Sequence, residues 1–261
     1  MLLCMQNIKK IIKNVLAGHL RNQYGLHSFP YLRHYVLSLN SYEELLRLFK
    51  WEKRPVLDQN QVHIYEYPLD VNQRRLRDAE SIMAVCANAG NNVLLEVGTA
   101  SGVTTASMAL NAPHAWVYTV NIPPEEAEAG EGGKLITGAF GRDVIGAYFL
   151  EKNIPNITQI YANTLTWQPD IGQIDVAFID GCHDKEFVIN DTLKILPHMR
   201  PGGFILWHDF NPDLAVKYGW IAEVCAAVEH LMAAGHITGN VYHVRDSWVG
   251  IWQVSADKNI R

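Results

Sequence analysis

The sequence predicts a doubly wound, mostly parallel α/β sheet with a helical N-terminal extension, and three observations carry that prediction. Short apolar runs without polar alternation recur between residues 93 and 207, the pattern of strands covered on both faces. Segments with apolar residues at helical spacing separate several of those runs, so β and α units alternate. The chain closes with two further apolar runs, Val241 to Arg245 and Trp248 to Val254, joined by Asp246-Ser247. So short a link predicts an antiparallel hairpin.

The elements follow in order. No Asp or Glu precedes Glu43, whereas Lys9, Lys10, Lys13, Arg21 and Arg33 all do. With Ile8, Ile11, Ile12, Val15 and Leu16 at helical spacing, the start of the chain reads as a basic amphipathic helix. It would cover the domain or build a homo-oligomer interface; an organelle presequence or a membrane-surface helix are the alternatives. Ser41-Tyr-Glu-Glu44 is a capping-box pattern opening a helix to about Lys50, and a connector runs from Pro55 to Pro68. Leu76, Ala79, Met83 and Cys86 mark a helix that ends near Gly90. Strands are expected at Val93–Val97, Ala115–Val120, Ile157–Tyr161, Ile174–Ile179 and Gly203–Trp207. Helices are expected from Lys185 to about His198 and around Ile221 to Met232. The division is residues 1–71 as extension and 72–261 as the α/β domain.

Composition narrows the function. The chain is 48% hydrophobic and 19% charged, ordinary for a globular protein with a substantial core. A net charge of −5 argues against a general nucleic-acid binder, which needs clustered Lys and Arg. No apolar run reaches the roughly 18–20 residues of a membrane span. The four cysteines are scattered without metal-type pairing, as expected in a reducing cytoplasm.

Chemistry concentrates at the strand ends. The run Val93 to Val97 passes into Gly98-Thr-Ala-Ser-Gly102, with Glu96 two residues before the first glycine. Such glycines let a strand-to-helix turn bend tightly and bring bare backbone against a ligand. The spacing departs from the dinucleotide fingerprint Gly-x-Gly-x-x-Gly, which counts against a nicotinamide-dependent oxidoreductase. Strand four ends Asp180-Gly-Cys-His183, and strand five ends Trp207-His208-Asp209. Neighbouring parallel strands would bring Asp180, His183, His208 and Asp209 to one rim, where such groups shift one another unless a cation or a reacting proton uses them. Asp180 and Asp209 oxygens suit Mg²⁺, and the His208 imidazole tilts the set toward Mn²⁺, Fe²⁺ or Zn²⁺.

Glu96-x-Gly98-x-x-x-Gly102 resembles the first motif of class I S-adenosylmethionine-dependent methyltransferases, whose Rossmann-like sheet has seven strands ending in an antiparallel pair. The resemblance implies that Gly98, Thr99, Ser101 and Gly102 cradle S-adenosylmethionine and that Glu96 fixes its amino group. Asn121 stands where the family carries an acid for the ribose, and Asn163 where it carries a residue near the adenine. The Glu-rich run from Glu125 to Glu131 reads as a solvated loop, with a substrate lid as the alternative. The strand-four and strand-five ends look like those of catechol and macrolide-sugar O-methyltransferases. In those, the counterpart of Asp180 binds Mg²⁺ together with the pair matching His208-Asp209, and His183 takes the place of a lysine base. The implied function is O-methylation of a small hydroxylated acceptor, with His183 titrating near 6.5 as general base. A non-catalytic module with the same fold is the rival.

Overall fold

The computed structural model describes residues 29–57, 69–136 and 138–255. The basic helix expected before residue 29, and most of the connector ending at Pro68, lie outside the described residues. Alternating apolar runs give the order α1 (Pro30–Tyr35), β1 (Val36–Leu39), α2 (Tyr42–Phe49), α3 (Leu69–Ala89), β2 (Val93–Val97) and α4 (Val103–Asn111). There follow β3 (Trp116–Asn121), α5 (Pro124–Glu128), α6 (Ala147–Glu151), β4 (Ile157–Tyr161), β5 (Ile174–Ile179) and α7 (Lys185–Ile195). Next come a 3₁₀ turn, β6 (Met199–Trp207), α8 (Gly219–Ala233), β7 (Val241–Val244) and β8 (Gly250–Gln253).

The strands form one sheet in the order β1-β7-β8-β6-β5-β2-β3-β4. Only β8 runs against its neighbours, so the closing hairpin does not sit at the edge: its second strand is inserted between β6 and β7. The sheet has eight strands rather than seven, because residues 36–39 pair in parallel with β7, Val36 opposite Val241 through Leu39 opposite Val244. This four-residue strand exposes Leu37 and carries no alternation of its own; it exists through its pairing with β7. Helix α2 begins where the capping pattern places it, but not through the Ser41 side chain. The Glu44 carboxylate reaches back to Asn40 instead, accepting its backbone N–H at 2.8 Å and its side-chain amide at 3.0 Å.

Each sheet face buries its own core. Ala177, Ile179, Ile205 and Trp207 face α7 and α8, while Val176, Phe178, Phe204 and Leu206 face α3 and α4. Every residue of β5 is buried, which accounts for the apolar run Val176–Ile179, and its one polar residue, Asp175, is paired with Arg200 at 2.5 Å. Among the described residues no helix is long and apolar enough to cross a membrane.

The registers Val97–Ile179 and Ile179–Trp207 bring the carboxyl ends of β2, β5 and β6 level. From β2 the chain winds outward to β3 and β4 on one side and then returns to β5 on the other, which makes this the switch point where open α/β sheets bind ligands. There Gly98 adopts φ +101°, and a Cβ on it would overlap the Asp180 carbonyl. The turn from β2 therefore rests directly on the turn from β5. Gly98 is thus a packing glycine as much as a ligand-facing one, and a side chain there strains the fold itself. Gly98→Ala should cost about 2 kcal/mol or more, seen as a lower urea midpoint with an unchanged m-value.

Candidate active site

Two clefts open on this rim. The first holds about 610 Å³, part of it open to solvent, and is walled by Gly98, Ala100, Asn121, Asn163, Asp180 and Asp191. Its glycine turn is held from outside: the N–H groups of Gly146 and Tyr148 donate to the Ala100 and Ser101 carbonyls at 2.9 and 3.0 Å. Asn121 Oδ1 accepts the Ala100 N–H at 3.2 Å, tying the end of β3 to the turn. Asn163 lines the cleft with its Oδ1 accepting the Leu165 N–H at 3.1 Å, an Asx-turn. The Glu-rich run forms α5 and a turn, with Glu125 paired to Arg142 at 2.9 Å. The stretch after it supplies Gly132, Ile136, Gly138 and Phe140 to the cleft wall.

The remaining residues of the β2 motif do not face this cleft. Glu96 is 1% exposed and lies beneath the turn, where its Oε2 accepts the hydroxyls of Thr105 and Thr119, the latter at 2.6 Å. Thr99 is buried against Thr119, oxygen to oxygen at 2.7 Å. Ser101 opens onto the second cleft, and Gly102 packs on Phe149.

The second cleft, of about 830 Å³, is bordered by Arg74, Arg75, Asp78, Ser101, Asp180 and His208. Asp180 therefore borders both. Around it the structure gathers the four groups expected from the sequence and adds two from α3. His208 Nδ1 lies 2.8 Å from Asp180 Oδ1, and His183 Nε2 lies 3.5 Å from the same oxygen. Asp209 faces the same two nitrogens, at 3.1 Å from His183 Nε2 and 3.8 Å from His208 Nδ1. Asp209 is a non-glycine residue at φ +53°, a left-handed conformation that Asp tolerates better than most residues. On the far side of His208, Nε2 lies 3.3 Å from Asp78 Oδ2, and Asp78 is itself paired with Arg74 at 2.7 Å. Sequence reading missed Arg74 and Asp78: both sit inside an ordinary helix, and their i,i+4 spacing reads as a surface pair.

Electrostatics follow from this crowding. Burial alone would lower the His183 pKa, but the negative charges of Asp209 and Asp180 close by outweigh it and raise it to about 10. His208 likewise rises well above 6.5, burial again being overcome by Asp180 and Asp209. Against the cost of their own burial, the imidazoliums hold both carboxyls below their ordinary values. The expectation of an unperturbed imidazole near 6.5 at position 183 is therefore not met: facing two carboxylates, the ring keeps its second proton. Yet His183 Nε2 and His208 Nδ1, both buried, make no aligned hydrogen bond to the carboxylates they face. Asp180, His183 and His208 each turn one donor atom toward a common point, within 4.8 Å of one another. Two orphaned imidazole nitrogens and a carboxylate oxygen so placed are a donor set that fits a divalent cation. The sequence expectation named Asp180, His208 and Asp209; His183 joins them here, and the Asp209 oxygens lie 3.1 Å and 3.8 Å from the same two ring nitrogens.

Burial lifts the Glu96 pKa to about 8 against the pull of the two threonine hydroxyls. A carboxyl raised on folding stabilises the protein fully below its unfolded value near 4.3 and loses that contribution as pH rises through the folded value. Glu96→Gln should flatten the stability–pH curve between about pH 5 and 8 and leave the variant the more stable protein at pH 8.5, by an amount on the order of a few kcal/mol. Urea titrations of both proteins at several pH values check this; parallel curves would place Glu96 as an ordinary carboxylate.

Similarity to known proteins agrees with this geometry. Residues 95–210, from within β2 to just past His208-Asp209, match the family model described as a methyltransferase domain. Among solved structures, the O-methyltransferase NovP superposes with a TM-score of 0.52 at 16% identity, over 67% of this chain and 78% of that one. The S-adenosylhomocysteine-bound methyltransferase PaMTH1 of Podospora anserina does so with a TM-score of 0.51 at 15% identity, over 83% of this chain and 95% of that one. No curated protein matches the chain by sequence. The segment from residue 95 to 210 is thus similar to a methyltransferase domain, and the sheet with its inserted antiparallel strand and glycine turn has the fold of the two superposed methyltransferases.

Proposed function

We propose that this enzyme is an O-methyltransferase that takes its cofactor in the first cleft and a small hydroxylated acceptor in the second. The observation that carries the reading is Asp180, which lines both clefts and so marks where donor and acceptor meet. S-adenosylmethionine supplies an electrophilic sulfonium methyl, so the protein's work is alignment of the acceptor oxygen and removal of its proton. The second cleft supports a sugar or phenol hydroxyl as acceptor, because its wall mixes Arg74, Arg75 and Ser101 with Ile82 and Phe178.

His183 would serve beside that oxygen as a cation ligand rather than as the base that takes its proton. Its Nδ1 lies 3.0 Å from the Leu135 carbonyl, which can only accept, so Nδ1 carries a proton and Nε2 is the nitrogen that faces the cluster. In the network as it stands, Nε2 is protonated too and cannot act as a base at neutral pH. Asp180, His183 and His208 would hold a divalent cation, with the Asp209 carboxylate beside the same two ring nitrogens. Bound there, such an ion would lower the acceptor hydroxyl's pKa.

Two measurements test this reading, with S-adenosylhomocysteine release scored over a panel of phenols and sugars. Treatment with EDTA should lower turnover by about tenfold or more at pH 7, and Mn²⁺ or Mg²⁺ should restore it; activity indifferent to chelation would remove the cation. As the loss of a cation ligand, His183→Ala should lower kcat about as far as chelation does, roughly tenfold or more, while the Kd for S-adenosylmethionine stays within about threefold. A variant that turns over like the wild type would return His183 to a structural role.

A further inference from the structure

One buried carboxylate of the second cleft has no part in the reaction just described. Asp78, 5% exposed, belongs to α3, upstream of the segment that matches the methyltransferase family. Each of its oxygens is directed. Oδ1 accepts the backbone N–H of Trp248, in the β7–β8 turn, at 2.6 Å. Oδ2 accepts Arg74 Nη1 at 2.7 Å and lies 3.3 Å from His208 Nε2. Arg74 is itself fixed, its guanidinium lying 4.4 Å over the Trp248 ring. Although Arg74 Nη1 also lies 3.3 Å from His208 Nε2, its proton has the nearer carboxylate to go to. Asp78 is then the acceptor that an N–H at Nε2 requires.

We propose that Asp78 is a positioning residue that grips His208 by Nε2 and so presents Nδ1 to Asp180 and the centre of the cluster. The inference rests on the reading of Asp180, His183 and His208 as the reaction centre. A histidine ring bound at one nitrogen only can turn about its Cβ–Cγ bond, and either nitrogen can carry the proton. A carboxylate behind the ring removes both freedoms, the arrangement by which outer carboxylates orient imidazole ligands. Here Asp78 is anchored from two sides, by Arg74 and by the Trp248 N–H. The ring's orientation is thereby tied to α3 and to the inserted hairpin, neither of which contributes a group to the cluster's centre. The Phe178 ring, edge-on at 5.9 Å, flanks the imidazole without competing for either nitrogen.

The test uses the full chain carrying ¹⁵N-labelled histidine and saturated with S-adenosylhomocysteine. His208→Ala assigns the His208 signals by their loss and provides a reference background. Long-range ¹⁵N spectra of the wild type should show Nε2 of His208 protonated and hydrogen-bonded. Asp78→Asn, which keeps an oxygen for the Trp248 N–H, should shift that signal, and Asp78→Glu should restore it in part. Calorimetry with Mn²⁺ as the only added ligand should show affinity falling about 10–100-fold in Asp78→Asn. The same substitution on the His208→Ala background should add no further loss. His208 signals unmoved by Asp78→Asn, or a Mn²⁺ loss repeated in full without His208, would overturn the proposal. If the wild type takes up no Mn²⁺, the cation drops out of the proposed reaction, and the ring signals alone decide the role of Asp78.

Discussion

The close approach of the β2 turn to the β5 turn is the constraint on which the rest of the site depends. With no side chain at Gly98, the backbone of one turn rests on the Asp180 carbonyl of the other. That contact shapes the floor of the first cleft and fixes where Asp180 emerges, between the two clefts. It also requires level strand ends, which the β2–β5 and β5–β6 registers provide. A one-residue slip in either would turn Asp180 or His208 to the opposite face of the sheet. The fully buried apolar run of β5 opposes such a slip, because Val176 and Phe178 fill one core and Ala177 and Ile179 the other.

Charge balance is the second organising feature. Three carboxylates, Asp78, Asp180 and Asp209, face three basic groups, Arg74, His183 and His208, in one partly buried cluster. With both imidazoles protonated the formal charges cancel, which is why each ring holds its proton so firmly despite burial. A divalent ion in place of the two imidazole protons would leave the sum unchanged. The cluster would therefore keep the same net charge with the two protons or with a cation between the donor atoms. Position 208 is informative here. An imidazole there adds no negative charge to the centre, and Asp78 supplies one behind it.

Much of this was legible in the sequence. The five parallel runs, the closing hairpin and the clustering of Asp180, His183, His208 and Asp209 followed from apolar periodicity and from the rule that parallel strands present their carboxyl ends together. Periodicity could not show strand β1, since four half-exposed residues carry too little pattern to separate a strand from a loop. Nor could it show that Glu96 lies under its turn: a residue at a strand end points into the cleft or into the core according to which face its register selects, and Thr105 and Thr119 wait on the core side.

By itself, then, the sequence determined the sheet, the location of the glycine turn and the residue types available at the rim. These depend on local propensity and on which side chains avoid water, and both are written along the chain. Tertiary structure alone decided which rim groups meet and in what state. The Arg74–Asp78–His208 line joins residues 130 or more positions apart, and no local pattern marks such a contact. The raised pKa of His183 arises because two carboxylates from different strands share one buried space with it. Coulomb interactions between buried groups depend on separation in space, and folding sets that separation.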